Sequence, residues 1–242
     1  MPPIIGRALV ALAFAGFSAA SFAASLLYFL YAYLVVYGAP REAEAAWRPV
    51  LADVVLFSVF ALHHSLFART GLKRRVAAVL PPRLERATYT LVSSLLFFGV
   101  CWYWRPVPGV VYALDGAWRW ATYAIFAAGV VVTLLSARRL DALELAGLRQ
   151  VMVASQPSAR SGTPLLTSGL YGLVRHPIYF GWVLLVVGVP DMTMTRFVFA
   201  VVSTIYLAVA VPFEERSLTE TFGPDYASYQ RKVRWRMMPG IY

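Results

Sequence analysis

Apolar residues run with hardly a charge from about Ala8 to Tyr37 and recur in five later stretches. A span needs roughly 20 such residues, and in lipid a segment must satisfy its own backbone hydrogen bonds. The pattern therefore predicts an all-α, polytopic integral membrane protein with six transmembrane helices, over about Ala8–Tyr37, Val50–Ala68, Ala87–Trp104, Trp118–Ala137, Ile178–Val189 and Phe197–Phe213. The first stretch is far longer than the ~7–15 residue core of a secretory signal and lacks a convincing cleavage motif, so it is expected to remain as a helix. The fifth is short, with Pro177 at its start and Pro190-Asp191 at its end, which predicts a tight hairpin with the sixth.

Charge then orients the bundle. The 22 Lys and Arg residues against 12 Asp and Glu concentrate between the second and third stretches, between the fourth and fifth, and in the tail. The positive-inside rule puts these segments, and with them both termini, on the cytoplasmic side. The excess is not interleaved with aromatics as in a nucleic-acid-binding surface, so nucleic acid is not an expected partner; membrane lipid is. The chain reads as one membrane domain over 1–242, with four N-terminal helices in 1–137 and a site-forming region in 138–242. In that region Arg138 to Met152 has the spacing of a surface helix, Gln156 to Thr167 reads as a loop, and Glu214 to Lys232 as an amphipathic helix broken near Gly223-Pro224. Asp53 and Arg119 read as helix-end residues that reach water. A single cysteine, Cys101, in an apolar run excludes an intrachain disulfide, and three histidines with no i, i+4 pair disfavour a metal site.

The topology brings two charged edges to one depth. Arg175-His176-Pro177 opens the fifth helix, and Glu214-Glu215 follows the sixth. Pro177 suits a first helical turn, whose free amides attract an anion, and Gly181 one turn on leaves room for a ligand or for another helix. Either the charges are interfacial anchors in ordinary salt bridges or they surround something polar. Tyr171 and Tyr179 at the same edge admit a stacking role or an interfacial belt. Near the cytoplasmic end of the second helix, His64 of His63-His64-Ser65 is either a general base or a histidine bonded to a neighbouring helix.

Three motifs occur in order: Arg175-His176-Pro177-x-Tyr179-x-Gly181, Glu214-Glu215-x-x-Leu218, and Phe222-Gly223-x-x-Tyr226-x-x-Tyr229 with a basic-Pro ending. Together they resemble the isoprenylcysteine carboxyl methyltransferase and phospholipid methyltransferase superfamily over roughly 156–239. The resemblance implies a cytoplasmic site for S-adenosylmethionine, with S-adenosylhomocysteine as product, contacted by Gln156, Thr163, Leu165, Leu166, Tyr171, His176, Pro177, Tyr179 and Glu214, with Arg175, Gly181 and Glu215 beside them. Further segments (His64-Ser65-x-x-Ala68-Arg69, Glu85-Arg86-x-Thr88-Tyr89, Trp104-Arg105-Pro106, Pro190-x-Met192-Thr193) look like the methanethiol S-methyltransferase group, a relative of NnrU-type proteins, which implies a bacterial inner membrane. Where the prenylcysteine enzymes place an arginine one turn before the first glutamate, this chain has Ala210, which suits an uncharged acceptor. The resulting expectation is methyl transfer to a small thiol, methanethiol giving dimethyl sulfide, with His64 as base and His176 second. Alternatives are a lipophilic prenylcysteine or phospholipid-amine acceptor, an NADPH-dependent enzyme similar to sterol reductases, or a non-catalytic NnrU-type protein.

Overall fold

The computed structural model describes residues 3–40, 47–67, 81, 83–140, 148, 151 and 164–242. Its chain groups into two compact units, the first of 1–36, 47–105 and 140–161, the second of 37–46, 106–139 and 162–242.

The first unit contains α1 (Pro3–Tyr31), continued by a π-helical turn over Ala32–Val36, α2 (Trp47–Phe67) and α3 (Glu85–Tyr103). A stripe of small residues, Ala11, Ala15, Ser18 and Ser25, is buried along α1. Small side chains let helix backbones approach closely where lipid supplies no hydrophobic drive for association. The two serines donate to the carbonyls of Phe14 and Phe22 in their own helix, so their hydroxyls are satisfied. Toward its end α1 locks onto α3 through rings, Tyr28 on Phe98 at 4.6 Å and Phe29 on Phe97 at 5.7 Å, and α2 joins through Phe60 on Phe97 at 5.3 Å. Asp53 departs from the sequence expectation. It is fully buried, accepts from the Arg105 amide at 2.8 Å, and leaves Oδ2 without a hydrogen-bond partner, so the α3 exit and not water receives it.

The second unit holds β1 (Val110–Ala113), α4 (Gly116–Ala137), a 3-10 turn (Gly169–Gly172), α5 (Pro177–Val187), β2 (Asp191–Thr193), α6 (Met194–Phe222) and α7 (Pro224–Lys232). Thus α4 groups with the C-terminal elements. The described residues are mostly helical, as expected, and β1 with β2 adds one short element that was not: an antiparallel ribbon matches Val110 with Thr193 and Ala113 with Asp191. Each strand is shorter than periodicity can reveal. The turn into α6 is fixed by Thr193, whose hydroxyl accepts from the Arg196 amide and donates to the Tyr37 carbonyl. Arg119 of α4 clamps the ribbon with a 2.8 Å pair to Asp191.

Helices α4 and α5 touch backbone to backbone. A Cβ on Gly129 would lie 2.5 Å from the Leu185 nitrogen, and one on Gly181 would lie 2.8 Å from the Thr133 nitrogen and closer still to its hydroxyl. Gly188 meets the backbone of Phe126 in the same way.

Helices occupy all six apolar stretches. Among the described residues four segments, Ala8–Val36, Trp47–Phe67, Gly116–Ala137 and Met194–Phe222, are long and apolar enough to cross a membrane, while Pro177–Val187 is shorter. The chain is an integral membrane protein. Helix α6 runs on beyond the expected end at Phe213, so Glu214 and Glu215 lie inside it, and the break comes at Gly223, whose φ of +55° favours glycine, before Pro224 restarts the chain as α7. The surface helix expected over 138–152 falls mostly outside the described residues.

Candidate active site at the start of α5

Pro177 occupies the first turn of α5, and His176 takes the N-cap position. Ahead of them the chain is held by the C-terminal segment: the Arg175 amide donates to the Trp235 carbonyl at 2.9 Å and the His176 amide to the Arg236 carbonyl at 2.8 Å. The Arg175 guanidinium is turned inward, donating through Nη1 to the carbonyls of Val233 and Arg234 at 2.7 and 2.9 Å and through Nε to Glu215 Oε1 at 2.5 Å. Glu215 also accepts at Oε2 from Arg236 at 3.2 Å and Gln230 at 3.4 Å. Both Arg175 and Glu215 side chains are 6% exposed. A buried carboxylate with three charged or polar donors is a fastening between α5, α6 and the tail.

Glu214 has a different setting. Its side chain is 44% exposed, and Oε2 accepts from the Tyr179 hydroxyl at 2.8 Å and lies 3.6 Å from His176 Nδ1. The His176 and Tyr179 rings stack at 5.4 Å with a 7° angle between planes. His176 Nε2 is 3.4 Å from Glu215 Oε1 yet has no hydrogen bond. The first turn of α5 therefore presents an imidazole and a phenol to an open carboxylate on α6, backed by the closed Arg175–Glu215 pair.

Below this edge Tyr226, Tyr229 and Val233 pack with Leu165, Leu218 and Phe222. The Tyr229 hydroxyl donates to the Tyr171 carbonyl at 2.6 Å, tying the 3-10 turn to α7. Burial pushes the Tyr229 phenol up to about 12, and burial with the nearby Glu215 pushes Tyr226 higher still, so both remain proton donors at neutral pH. Burial, then Glu214, raises Tyr171 as well. The Tyr226 hydroxyl is buried without a hydrogen-bond partner.

Of the residues expected at the site, Leu165, Leu166, Tyr171, Arg175, His176, Pro177, Tyr179, Gly181, Glu214 and Glu215 all fall in the second unit, whereas Gln156 and Thr163 lie outside the described residues. The space left by Gly181 is taken by Thr133 of α4. His64 is in the first unit, where its Nδ1 lies 3.0 Å from the Tyr89 hydroxyl and its ring stacks on Phe60 at 5.4 Å. Sequence reasoning missed Gln230, Arg236 and the carbonyls of 233–236, for which the basic-Pro ending was the available signal.

A family model described as isoprenylcysteine carboxyl methyltransferase matches residues 127–220, from the glycine contact on α4 through both glutamates. Methanethiol S-methyltransferase 2 of Bradyrhizobium diazoefficiens is 36% identical over 88% of this chain and 85% of its own length. The chain belongs to the methanethiol S-methyltransferase family. Similar proteins of that name occur in Crocosphaera subtropica, 36% identical over 80% of this chain and 76% of its own, and in Mycobacterium tuberculosis, 36% identical over 87% and 91%. No solved structure gives a significant match. Members of this family are membrane methyltransferases.

Proposed function

We propose that the chain transfers the methyl group of S-adenosylmethionine to methanethiol, forming dimethyl sulfide. The observation that carries this reading is the 36% identity to methanethiol S-methyltransferase 2 along nearly the whole chain. The donor set suits such a cofactor. Glu214 offers an open carboxylate for an ammonium or ribose hydroxyls, Tyr179 and His176 offer a stacked pair of rings, and Tyr171, Leu165 and Leu166 supply a partly apolar wall. Gln156 and Thr163 are carried as further contacts by the family resemblance. Arg175, Glu215 and Pro177 would hold the edge in shape, and Gly181 would hold α5 against α4.

When bound, S-adenosylmethionine supplies an electrophilic methyl group. The chain's part is to align the acceptor sulfur, exclude water and receive one proton. A thiol is mostly protonated at neutral pH, so its S–H proton must pass to a base as the sulfur forms its bond to carbon. His64 is the assigned base and His176 the second choice. Ala210, four residues before Glu214, leaves no cation there for a carboxylate acceptor, which favours a small uncharged thiol.

All six helices would cross the bilayer, with both termini and the cofactor edge on the cytoplasmic side of a bacterial inner membrane. The test is calorimetric titration with S-adenosylhomocysteine followed by headspace detection of dimethyl sulfide from methanethiol. Binding together with thioether formation supports the assignment; binding without thioether keeps the cofactor and removes methanethiol as acceptor.

A further inference from the structure

Glycine contacts hold α4 and α5 in antiparallel register. Phe126 of α4 meets Gly188, Gly129 meets Leu185 and Gly181, and Thr133 meets Gly181. One turn (about four residues) past Thr133 on α4 and before Gly181 on α5, the register reaches Ala137 and Pro177, the last residue of one helix and the first of the other. The chain leaving α4 therefore emerges at the His176 edge. There the exposed Arg139 turns to the 3-10 segment of the same unit: Nη2 donates to the Ser168 hydroxyl at 3.4 Å, and a Cβ on Gly169 would lie 3.2 Å from that nitrogen.

S-adenosylmethionine and S-adenosylhomocysteine both end in a carboxylate and an ammonium on one carbon, so a site for them needs an anion receptor besides Glu214. The amides that open α5, the receptor expected from sequence, are largely committed. Those of Arg175 and His176 donate to the Trp235 and Arg236 carbonyls, those of Tyr179 and Phe180 donate to the His176 carbonyl, and Pro177 has none. Arg175 is turned onto Glu215 and the carbonyls of Val233 and Arg234. The His176 ring nitrogens lie beside the two glutamates, where a further carboxylate would meet like charge.

Arg139 is placed differently. Burial and then Glu214 raise the Tyr171 phenol, and Arg139 acts on it in the opposite sense, so opposite charges from two sides of the edge reach one ring. The described residues show no ion pair between the two: Glu214 is held by the Tyr179 hydroxyl and Arg139 by Ser168. A cation and an anion kept apart beside the same ring suit a zwitterion, and the planar guanidinium offers a carboxylate two parallel donors.

We propose that Arg139 receives the carboxylate of the cofactor's amino-acid end, leaving Glu214 to its ammonium. The assignment rests on the reading of this edge as the S-adenosylmethionine site. It also gives Gly169 a reason, since a side chain there would press on the guanidinium that Ser168 holds.

The test is calorimetric titration in detergent of the wild type, Arg139→Gln and Arg139→Lys with two ligands, S-adenosylhomocysteine and its decarboxylated analogue, in which hydrogen replaces the carboxylate. The wild type should bind S-adenosylhomocysteine about tenfold or more tighter than the analogue, and Arg139→Gln should remove that preference while leaving the analogue's affinity unchanged. Arg139→Lys, which keeps the charge without the fork, should fall between. If Arg139→Gln binds S-adenosylhomocysteine as the wild type does, the proposal is overturned and the cofactor reading stands. Equal weakening of both ligands would make Arg139 a support of the turn, which also overturns it. If the wild type binds neither ligand, the cofactor reading falls and this assignment with it. Repeating the titrations in nanodiscs separates the cofactor from a lipid phosphate: the preference should persist in phosphatidylcholine alone, and an Arg139 effect confined to discs containing phosphatidylglycerol would assign the guanidinium to lipid and overturn the proposal.

Discussion

Adjacent glutamates divide the labour at the start of α5. Glu215 is closed in with Arg175, so removing its carboxylate strands a buried guanidinium at a cost of about 3–5 kcal/mol. Glu215→Ala should therefore lower the thermal unfolding midpoint in detergent sharply, by whatever ligand the unfolding is followed. Glu214 is open to solvent apart from Tyr179 and His176, and Glu214→Gln should leave that midpoint within a degree or two while weakening S-adenosylhomocysteine about tenfold or more in a calorimetric titration. An unchanged affinity would remove Glu214 from the cofactor contacts. The family resemblance pointed to Glu214 as the cofactor contact with Glu215 beside it, but adjacency in the chain does not say which carboxylate a helix turns inward. The same blindness applies to Asp53: a helix-end acid looks water-bound in the chain, yet the fold buries it against the Arg105 amide. Asp53→Ala should cost about 1–3 kcal/mol through that lost acceptor, whereas Asp53→Asn, which keeps an acceptor oxygen, should cost less; equal losses for the two would argue against the hydrogen bond as the reason for burial.

Elements meet through backbone as much as through side chains. A methyl group at Gly181 would press on Thr133 of α4, so Gly181→Ala should destabilise the second unit by about 1–3 kcal/mol, measured by thermal unfolding, while the same protein retains wild-type S-adenosylhomocysteine affinity below its midpoint. Loss of affinity without loss of stability would place the cofactor and not α4 against that glycine. The helices themselves were legible, with Pro177 marking the start of α5 and Gly223-Pro224 the break before α7, but the sixth apolar run reads as ending at Phe213 whereas α6 continues to Phe222. The β1–β2 ribbon was not, because strands of this length carry no readable period and their pairing joins residues far apart in the chain, such as Val110 with Thr193. The tail was half legible: its basic and proline residues stood out, but the function of its carbonyls as receptors for Arg175 belongs to backbone geometry, which side-chain identity does not encode.

At the scale of the whole molecule, the chain is an integral membrane protein of a methyltransferase family, and the basic loops lead us to propose that the α5–α6 edge faces the cytoplasm. With Cys101 replaced by serine, single cysteines introduced near either terminus should react with a membrane-impermeant maleimide in inverted vesicles and stay protected in intact cells; the opposite pattern would reverse the orientation. The account depends most on what receives the methyl group. The direct measurement is to supply purified protein with methanethiol and S-adenosylmethionine whose transferable methyl is trideuterated, and to read the headspace by mass spectrometry. Dimethyl sulfide carrying one trideuterated methyl, lost with Glu214→Gln at limiting cofactor, is the predicted result. Unlabelled headspace, with the deuterated methyl recovered instead on a phospholipid or a prenylcysteine ester, would contradict it.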